Sequence, residues 1–401
     1  MIYTLKQREL LRLWQKGGLR RMNLLEGSVS SGKTWVSLVL WAFWVASMPE
    51  DKPYLMCGKS LTTLKRNCLV LLEELVGKSH FSFSLAAKEG RLFGRRMYLE
   101  GANDARSESK IRGMTLQGAY CDELTQFPED FFTMLLSRLR LPEAKLMATT
   151  NPDNPLHWLK TRYINRAGEL DFLDAVFSIE DNTTLPEDYV ENLKKEYTGV
   201  FYERFILGKW VAAQGAVYDM LDQRANVYRP EDRPVDMAWN ATRTIAVDYG
   251  TSNPTVFLDV YDDGRTIRFD REYRWDSQEQ YRQKTGGEYA EDLVAFMRES
   301  PCAVLVDPAA ASFIVELQSR GVYVIPADNE VLDGIRKVST LLKNRVLLIC
   351  SDCAGLLTEM AAYRWDEKAG ARGEEKPLKQ QDHGPDAVRY YVNSLPDWRF
   401  Q

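Results

Sequence analysis

The chain has 401 residues, 45% hydrophobic and 27% charged, with a formal net charge of −5. That composition is typical of a globular chain long enough for two domains, so a core can form without covalent staples. The acidic balance excludes a protein that coats nucleic acid by charge alone.

The charge is uneven along the chain. Residues 1–210 hold 29 Lys and Arg against 26 Asp and Glu, whereas the remainder holds 23 against 31. The front half can touch phosphate, and the back half needs divalent metal before it can approach DNA. The six cysteines (57, 68, 121, 302, 350 and 353) follow an N-terminus, MIYTLKQREL, that is charged within ten residues. No secretory signal is read, so reduced thiols of a cytoplasmic protein are expected. Cys350 and Cys353 have zinc-ligand spacing, but no second pair or nearby histidine completes four ligands.

In chain order, short apolar runs at 23–27, 53–58, 117–123, 144–152 and 172–179 alternate with helix-like stretches such as 60–76 and 128–140. The alternation predicts a parallel sheet covered by helices. The longest apolar run, 35–48, is too short for a membrane span and reads as a buried helix. Residues 208–242 mix Gly, Pro and charge without period, which places a linker there. The boundaries drawn are 1–210, a linker at 211–242, and 243–401. The back half begins with strands at 242–250 and 255–275, the second interrupted by the turn Asp262-Asp263-Gly264. Helices near 288–299 and 311–320 alternate with strands at 302–307 and 322–327. Helices near 332–343, 354–363 and from 383 complete a mixed α/β sheet domain.

Gly27-Ser28-Val29-Ser30-Ser31-Gly32-Lys33-Thr34 matches the P-loop pattern in full, between an apolar strand and a helix. Its backbone N–H groups and the following helix N-terminus suit the phosphates of a nucleoside triphosphate. Lys33 would neutralise the outer phosphates and the Thr34 hydroxyl would ligate Mg²⁺. Asp122 follows a strand and suits the same Mg²⁺; Glu123 is expected to orient the attacking water as general base. Thr149, Thr150 and Asn151, ending the next strand, could sense the γ-phosphate. The loop has no arginine, so a cation for the transition state is sought elsewhere: Arg112 first, then Arg138 and Arg140.

Asp248 and Asp307 end predicted strands, and Asp382, His383 and Asp386 open a helix. If these acids converge at one sheet edge, their repulsion is tolerable only with divalent cations between them, which suggests a two-metal phosphodiesterase. Taken singly, each could be a turn, cap or surface residue. His383 could orient the third acid or touch metal.

GSVSSGKT, CDE, ATTNP, GKWVAAQGAVYD and the acids of AVDYG, LVDPAA and DHGPDAVRYY, in this order and spacing, resemble the large terminase subunit of tailed bacteriophages over nearly the whole chain. The resemblance implies a P-loop NTPase domain of the additional-strand class, followed by an RNase H-like mixed α/β nuclease domain. It implies ATP and Mg²⁺ at the first centre, contacted by Gln7, Gly27, Ser28, Ser30, Ser31, Gly32, Lys33, Thr34, Asp122, Thr150 and Asn151. It implies Glu123 and Arg112 as catalytic there, Arg112 acting across a subunit boundary. At the second centre it implies two Mg²⁺ or Mn²⁺ ions on Asp248, Asp307, Asp386 and His383. The family's partners are double-stranded DNA, the portal protein of the procapsid and the small terminase subunit. Such chains form a homo-pentameric ring at the portal, although an isolated subunit need not assemble. They work in the host cytoplasm, not in the membrane or the mature virion. Some relatives carry an arginine inside the P-loop, where this chain has serines and valine. Lys88, Arg91, Arg95 and Arg96 are read as phosphate contacts or as an exposed hairpin. Two other readings stay open: a P-loop helicase or repair ATPase with a nuclease-like appendage, and a P-loop switch whose back half binds a partner.

Overall fold

The computed structural model describes residues 3–235, 237–250, 253–298 and 300–400. The chain divides into two compact units. The first comprises 1–191, 200–212 and 371–374, and the second 192–199, 213–370 and 375–401.

The first unit is built on eight strands. They are β1 (Met22–Gly27), β2 (Tyr54–Gly58), β3 (Phe81–Ser84), β4 (Glu89–Leu92), β5 (Arg95–Gly101), β6 (Gly118–Cys121), β7 (Lys145–Thr150) and β8 (Phe172–Phe177). Their order is β3-β4-β5-β2-β6-β7-β1-β8, parallel from β5 to β8. β7 lies between β1, which feeds the P-loop, and β6, which ends before Asp122. That is the additional-strand arrangement. The strands β1, β2 and β6 are buried throughout, as their near-continuous apolar sequences require in a sheet covered on both faces. The apolar run 35–48 falls in the helix Lys33–Ser47, which is apolar on most of its circumference and correspondingly buried. Trp41 packs edge-on to Tyr54 at 6.0 Å between ring centroids and tilts against Trp44 at 5.5 Å. No helix among the described residues is long and apolar enough to cross a membrane.

The basic hairpin is β4–β5, and its cations are occupied within the unit. Arg95 is buried and donates to the carbonyls of Ala46, Met48 and Phe93, closing the C-terminal end of the helix Lys33–Ser47. Arg96 pairs with Glu89, and Lys88 with Glu100 at 3.4 Å. Arg91 donates to the Gly94 carbonyl. The hairpin is therefore largely charge-neutralised, and Arg95 acts as a helix cap.

The second unit holds β9 (Val227–Tyr228), β10 (Thr242–Asp248), β11 (Thr255–Asp262), β12 (Ile267–Trp275), β13 (Ala303–Val306), β14 (Val324–Pro326) and β15 (Leu347–Cys350). The order is β14-β13-β10-β11-β12-β15-β9. β10, β11 and β12 form an antiparallel meander, and β13 and β14 add in parallel beside β10. This is the RNase H-like mixed sheet. Part of the expected linker is structural here: Val227–Tyr228 pair in parallel with β15, and Asn226 donates to the carbonyls of Leu342 and Leu347. Two strand residues flanked by Pro and charge carry no readable period.

Candidate functional site

In the first unit, β1 ends at Gly27 with φ +138°, where an added Cβ would stand 1.8 Å from the Phe177 carbonyl oxygen of β8. Gly32 has φ +84° and opens the helix Lys33–Ser47. Only glycine adopts both geometries without strain. The Lys33 ammonium lies 2.9 Å from the Ser28 carbonyl and 2.7 Å from Asn151 Oδ1, which ties the P-loop to the end of β7. Burial lowers the Lys33 pKa to about 8, against the opposing charges of Glu123 and Asp122. The hydroxyls of Ser28 and Ser31 are buried without a hydrogen bond, and Ser30 meets Tyr189 at 3.0 Å. Gln7 forms a capping box with Thr4 and donates to the Gly32 carbonyl at 3.4 Å, against the loop.

Asp122 accepts from Thr149 Oγ1 and from Asn67 Nδ2, both at 2.9 Å. Glu123 stands in the left-handed region (φ 55°), and burial and the Asp122 charge raise its pKa. Gln126 donates to its carboxylate at 2.5 Å, and its own N–H donates to Thr149 Oγ1. Thr150 Oγ1 bonds Thr125 at 2.8 Å. This cluster can hold a polyanion on Lys33 and the loop, a hard cation on oxygen ligands, and a proton acceptor at Glu123.

Arg112 is 64% exposed and pairs with Glu108 at 2.5 Å, one helical turn earlier. Arg138 bonds Ser137, and Arg140 bonds Thr115 and the Met114 carbonyl. None of the three bonds to the P-loop, Asp122 or Glu123. The cations whose charge acts on Glu123, besides Lys33, are Arg66 and Lys59. Arg66 lies in a π-helical turn, Lys65–Leu69, whose Asn67 holds Asp122. Nothing in the period of 60–76 announced that widened turn. Glu26 is a second residue missed from sequence. It is 4% exposed, accepts from Trp210 Nε1 at 2.7 Å, and is pushed up to about 7 by burial and the charge of Asp174.

In the second unit, Asp248 at the end of β10 and Asp307 just beyond β13 come to one sheet edge, because β10 and β13 are parallel neighbours. The helix His383–Asn393 crosses that edge. His383 Nδ1 is 2.8 Å from Asp248 Oδ2, and the Tyr390 hydroxyl lies 3.0 Å from Asp307 and 3.4 Å from Asp248. Asp386 Oδ2 accepts from Lys379 at 2.9 Å, and its Oδ1 pairs with the Arg389 guanidinium at 2.9 Å. Burial raises the Asp248 pKa, reinforced by the Asp386 and Asp382 charges and opposed by His383. Burial alone would lower His383; the hydrogen bond and charge of Asp248 more than offset it.

Asp248, His383 and Asp307 are thus brought together, with Asp386 within electrostatic reach. Among the described residues, no group of three or more His, Cys, Asp or Glu stands close enough to hold a metal ion directly. The Tyr390 hydroxyl and Lys379 ammonium are interposed between the acids, where like charges would otherwise meet. The donor set still suits hard divalent cations: three carboxylates and an imidazole whose Nε2 remains. Tyr390 was legible in hindsight, since 383, 386 and 390 share one helical face.

Residues 24–223 match the family described as "Terminase large subunit, T4likevirus-type, N-terminal". Comparison with curated proteins finds no match. Among solved structures, the large terminase from a thermophilic bacteriophage has a TM-score of 0.91 at 35% identity, covering 98% of this chain and 99% of that one. The same phage protein in complex with ADP gives 0.91, and with ATP-gamma-S 0.90, each at 35% identity and the same coverage. With that identity over nearly its full length, and a P-loop sheet followed by an RNase H-like sheet, the chain belongs to the large terminase family.

Proposed function

We propose that this large terminase hydrolyses ATP at the P-loop centre to drive double-stranded DNA into a procapsid, and cuts concatemeric DNA at the Asp248–Asp307–Asp386 centre. The observation that carries the reading is that each cluster is assembled wholly within its own unit. Lys33 and Asn151 join in the first, and Tyr390 joins Asp248 and Asp307 in the second. The relative at 35% identity is described in complex with ADP and with ATP-gamma-S, which supports a nucleotide in the first unit.

In the first centre Lys33 and the loop N–H groups hold the outer phosphates, Thr34 and Asp122 would hold Mg²⁺, and Glu123 orients the water. Its raised pKa moves Glu123 toward the range where a general base works well. The arginine for the transition state is Arg112 acting from a neighbouring subunit, which its exposure permits. In the second centre Asp248, Asp307, Asp386 and His383 would hold two Mg²⁺ or Mn²⁺ ions, whose Lewis acidity supplies phosphodiester hydrolysis when bound. His383 orients Asp248, and Tyr390 fixes the spacing of Asp248 and Asp307. The assembled form is a pentameric ring on the portal in the host cytoplasm, supplied with DNA by the small subunit.

Lys33→Ala should lower ATP hydrolysis by roughly a hundredfold or more, yet leave Mn²⁺-dependent plasmid cutting in place. Asp307→Ala should do the reverse. Loss of both activities from either substitution, in protein that retains its fold, would overturn the reading of two separable centres.

A further inference from the structure

Lys379 precedes the helix His383–Asn393, and its ammonium lies 2.9 Å from Asp386 and 3.1 Å from Asp382. The lysine side chain is 64% exposed, whereas those of Asp382 and Asp386 are 9% and 7% exposed. One cation at the mouth of the cluster therefore bridges two buried acids beneath it. The other cation on Asp386 is different in kind. Arg389 is buried and donates to the carbonyls of Asn329 and Glu330 at 2.6 and 3.1 Å, so it is fixed by backbone. The Lys379 ammonium has only the two carboxylates as hydrogen-bonding or ion-pair partners among the described residues.

An ammonium on Asp386 Oδ2 takes one of the lone pairs that a hard cation would use at about 2.1–2.5 Å. A doubly charged ion brought to the same carboxylate is repelled by the ammonium beside it, so filling the cluster requires Lys379 to withdraw. A flexible four-carbon stem lying mostly in water can swing aside, which a backbone-anchored guanidinium cannot. An ordinary exposed ion pair would contribute little; here both acidic partners are buried members of the cluster.

We propose that Lys379 is a tethered counter-ion that competes with divalent cations for Asp386 and sets the concentration at which the acid cluster fills. The inference rests on the reading of Asp248, Asp307 and Asp386 as cation ligands. Mn²⁺ binding to the full chain is measured by calorimetry and by loss of the free-ion paramagnetic resonance signal. Lys379→Ala should tighten Mn²⁺ binding by about tenfold, from removal of one charge-assisted contact. Lys379→Gln, a polar side chain one bond shorter and without the charge, should tighten it likewise, and Lys379→Arg should not. The Mn²⁺-induced rise in melting temperature should be larger for the Ala and Gln variants than for the parent. Unchanged or weaker Mn²⁺ binding in both neutral variants would overturn the competition while leaving the ligands as read. If the parent shows no Mn²⁺ binding that Asp307→Asn weakens, the ligand reading fails and this inference falls with it.

Discussion

Glu26, one residue before the P-loop, has a pKa near 7 against an ordinary value of 4.5. Between those values the folded chain keeps a proton that the unfolded chain has released. Its stabilising contribution is therefore complete below pH 4.5 and is lost as pH rises through 7. The pKa difference corresponds to about 3 kcal/mol. Glu26→Gln keeps an acceptor for Trp210 without the charge, so it should match the parent near pH 4.5 and exceed it in stability at pH 8. Urea unfolding of both proteins at the two pH values measures this; identical pH profiles would refute the burial argument. Glu123 raises a separate expectation. A non-glycine residue at φ 55° stores strain of order 1 kcal/mol, and such outliers cluster at functional sites. Glu123→Gln should retain ATP binding and lose roughly a hundredfold or more in turnover, as equilibrium nucleotide binding beside steady-state hydrolysis would show. At this scale the sequence identified acids and glycines, whose chemistry narrows their roles. It did not reveal Asn67, Arg66, Trp210 or Lys379, since polar or basic residues on helices and loops are ordinarily solvated and only the fold aims them at a site.

The hairpin that carries Arg95 and the helix Lys33–Ser47 stabilise one another. Arg95 is held by three carbonyls, two of them, Ala46 and Met48, at the end of that helix. Arg95→Ala removes the donor from those part-buried acceptors and should destabilise the first unit by about 1–2 kcal/mol. Arg96→Ala, at an exposed pair, should leave stability nearly unchanged. Denaturant titrations of the two variants separate a capping role from a shared role in phosphate contact. The parallel strands β1, β2, β6 and β7, buried almost throughout, were legible because continuous apolar runs bounded by helices leave few alternatives. β3 was not, because Phe81–Ser84 alternates over only four residues beside a polar turn. β15 was also lost, since its four apolar residues follow directly on the helix Val331–Lys343.

Over the whole molecule, the division expected at 211–242 gives the order of the two folds but not how the chain is apportioned. Residues 192–199 belong to the second unit and 371–374 to the first. The Thr340 hydroxyl hydrogen-bonds the Glu196 carbonyl, Lys343 donates to the Tyr197 carbonyl at 2.8 Å, and the Arg336 guanidinium lies 5.5 Å from the Tyr197 ring centroid. These contacts join segments about 140 residues apart, a separation that no local pattern encodes. A fragment 213–401 should therefore melt several degrees below a fragment 192–401, a difference of about 1–2 kcal/mol from the lost bonds. Differential scanning calorimetry of the two fragments gives the comparison directly.

That interleaving bears on how such genes can be shuffled. A crossover that swaps the rear half between relatives at residue 213 would give a chimaera whose Thr340–Lys343 face meets a foreign 192–199. Moving the breakpoint upstream of 187 keeps that piece with its host, so viable hybrids should be joined before the segment that looks like the natural seam.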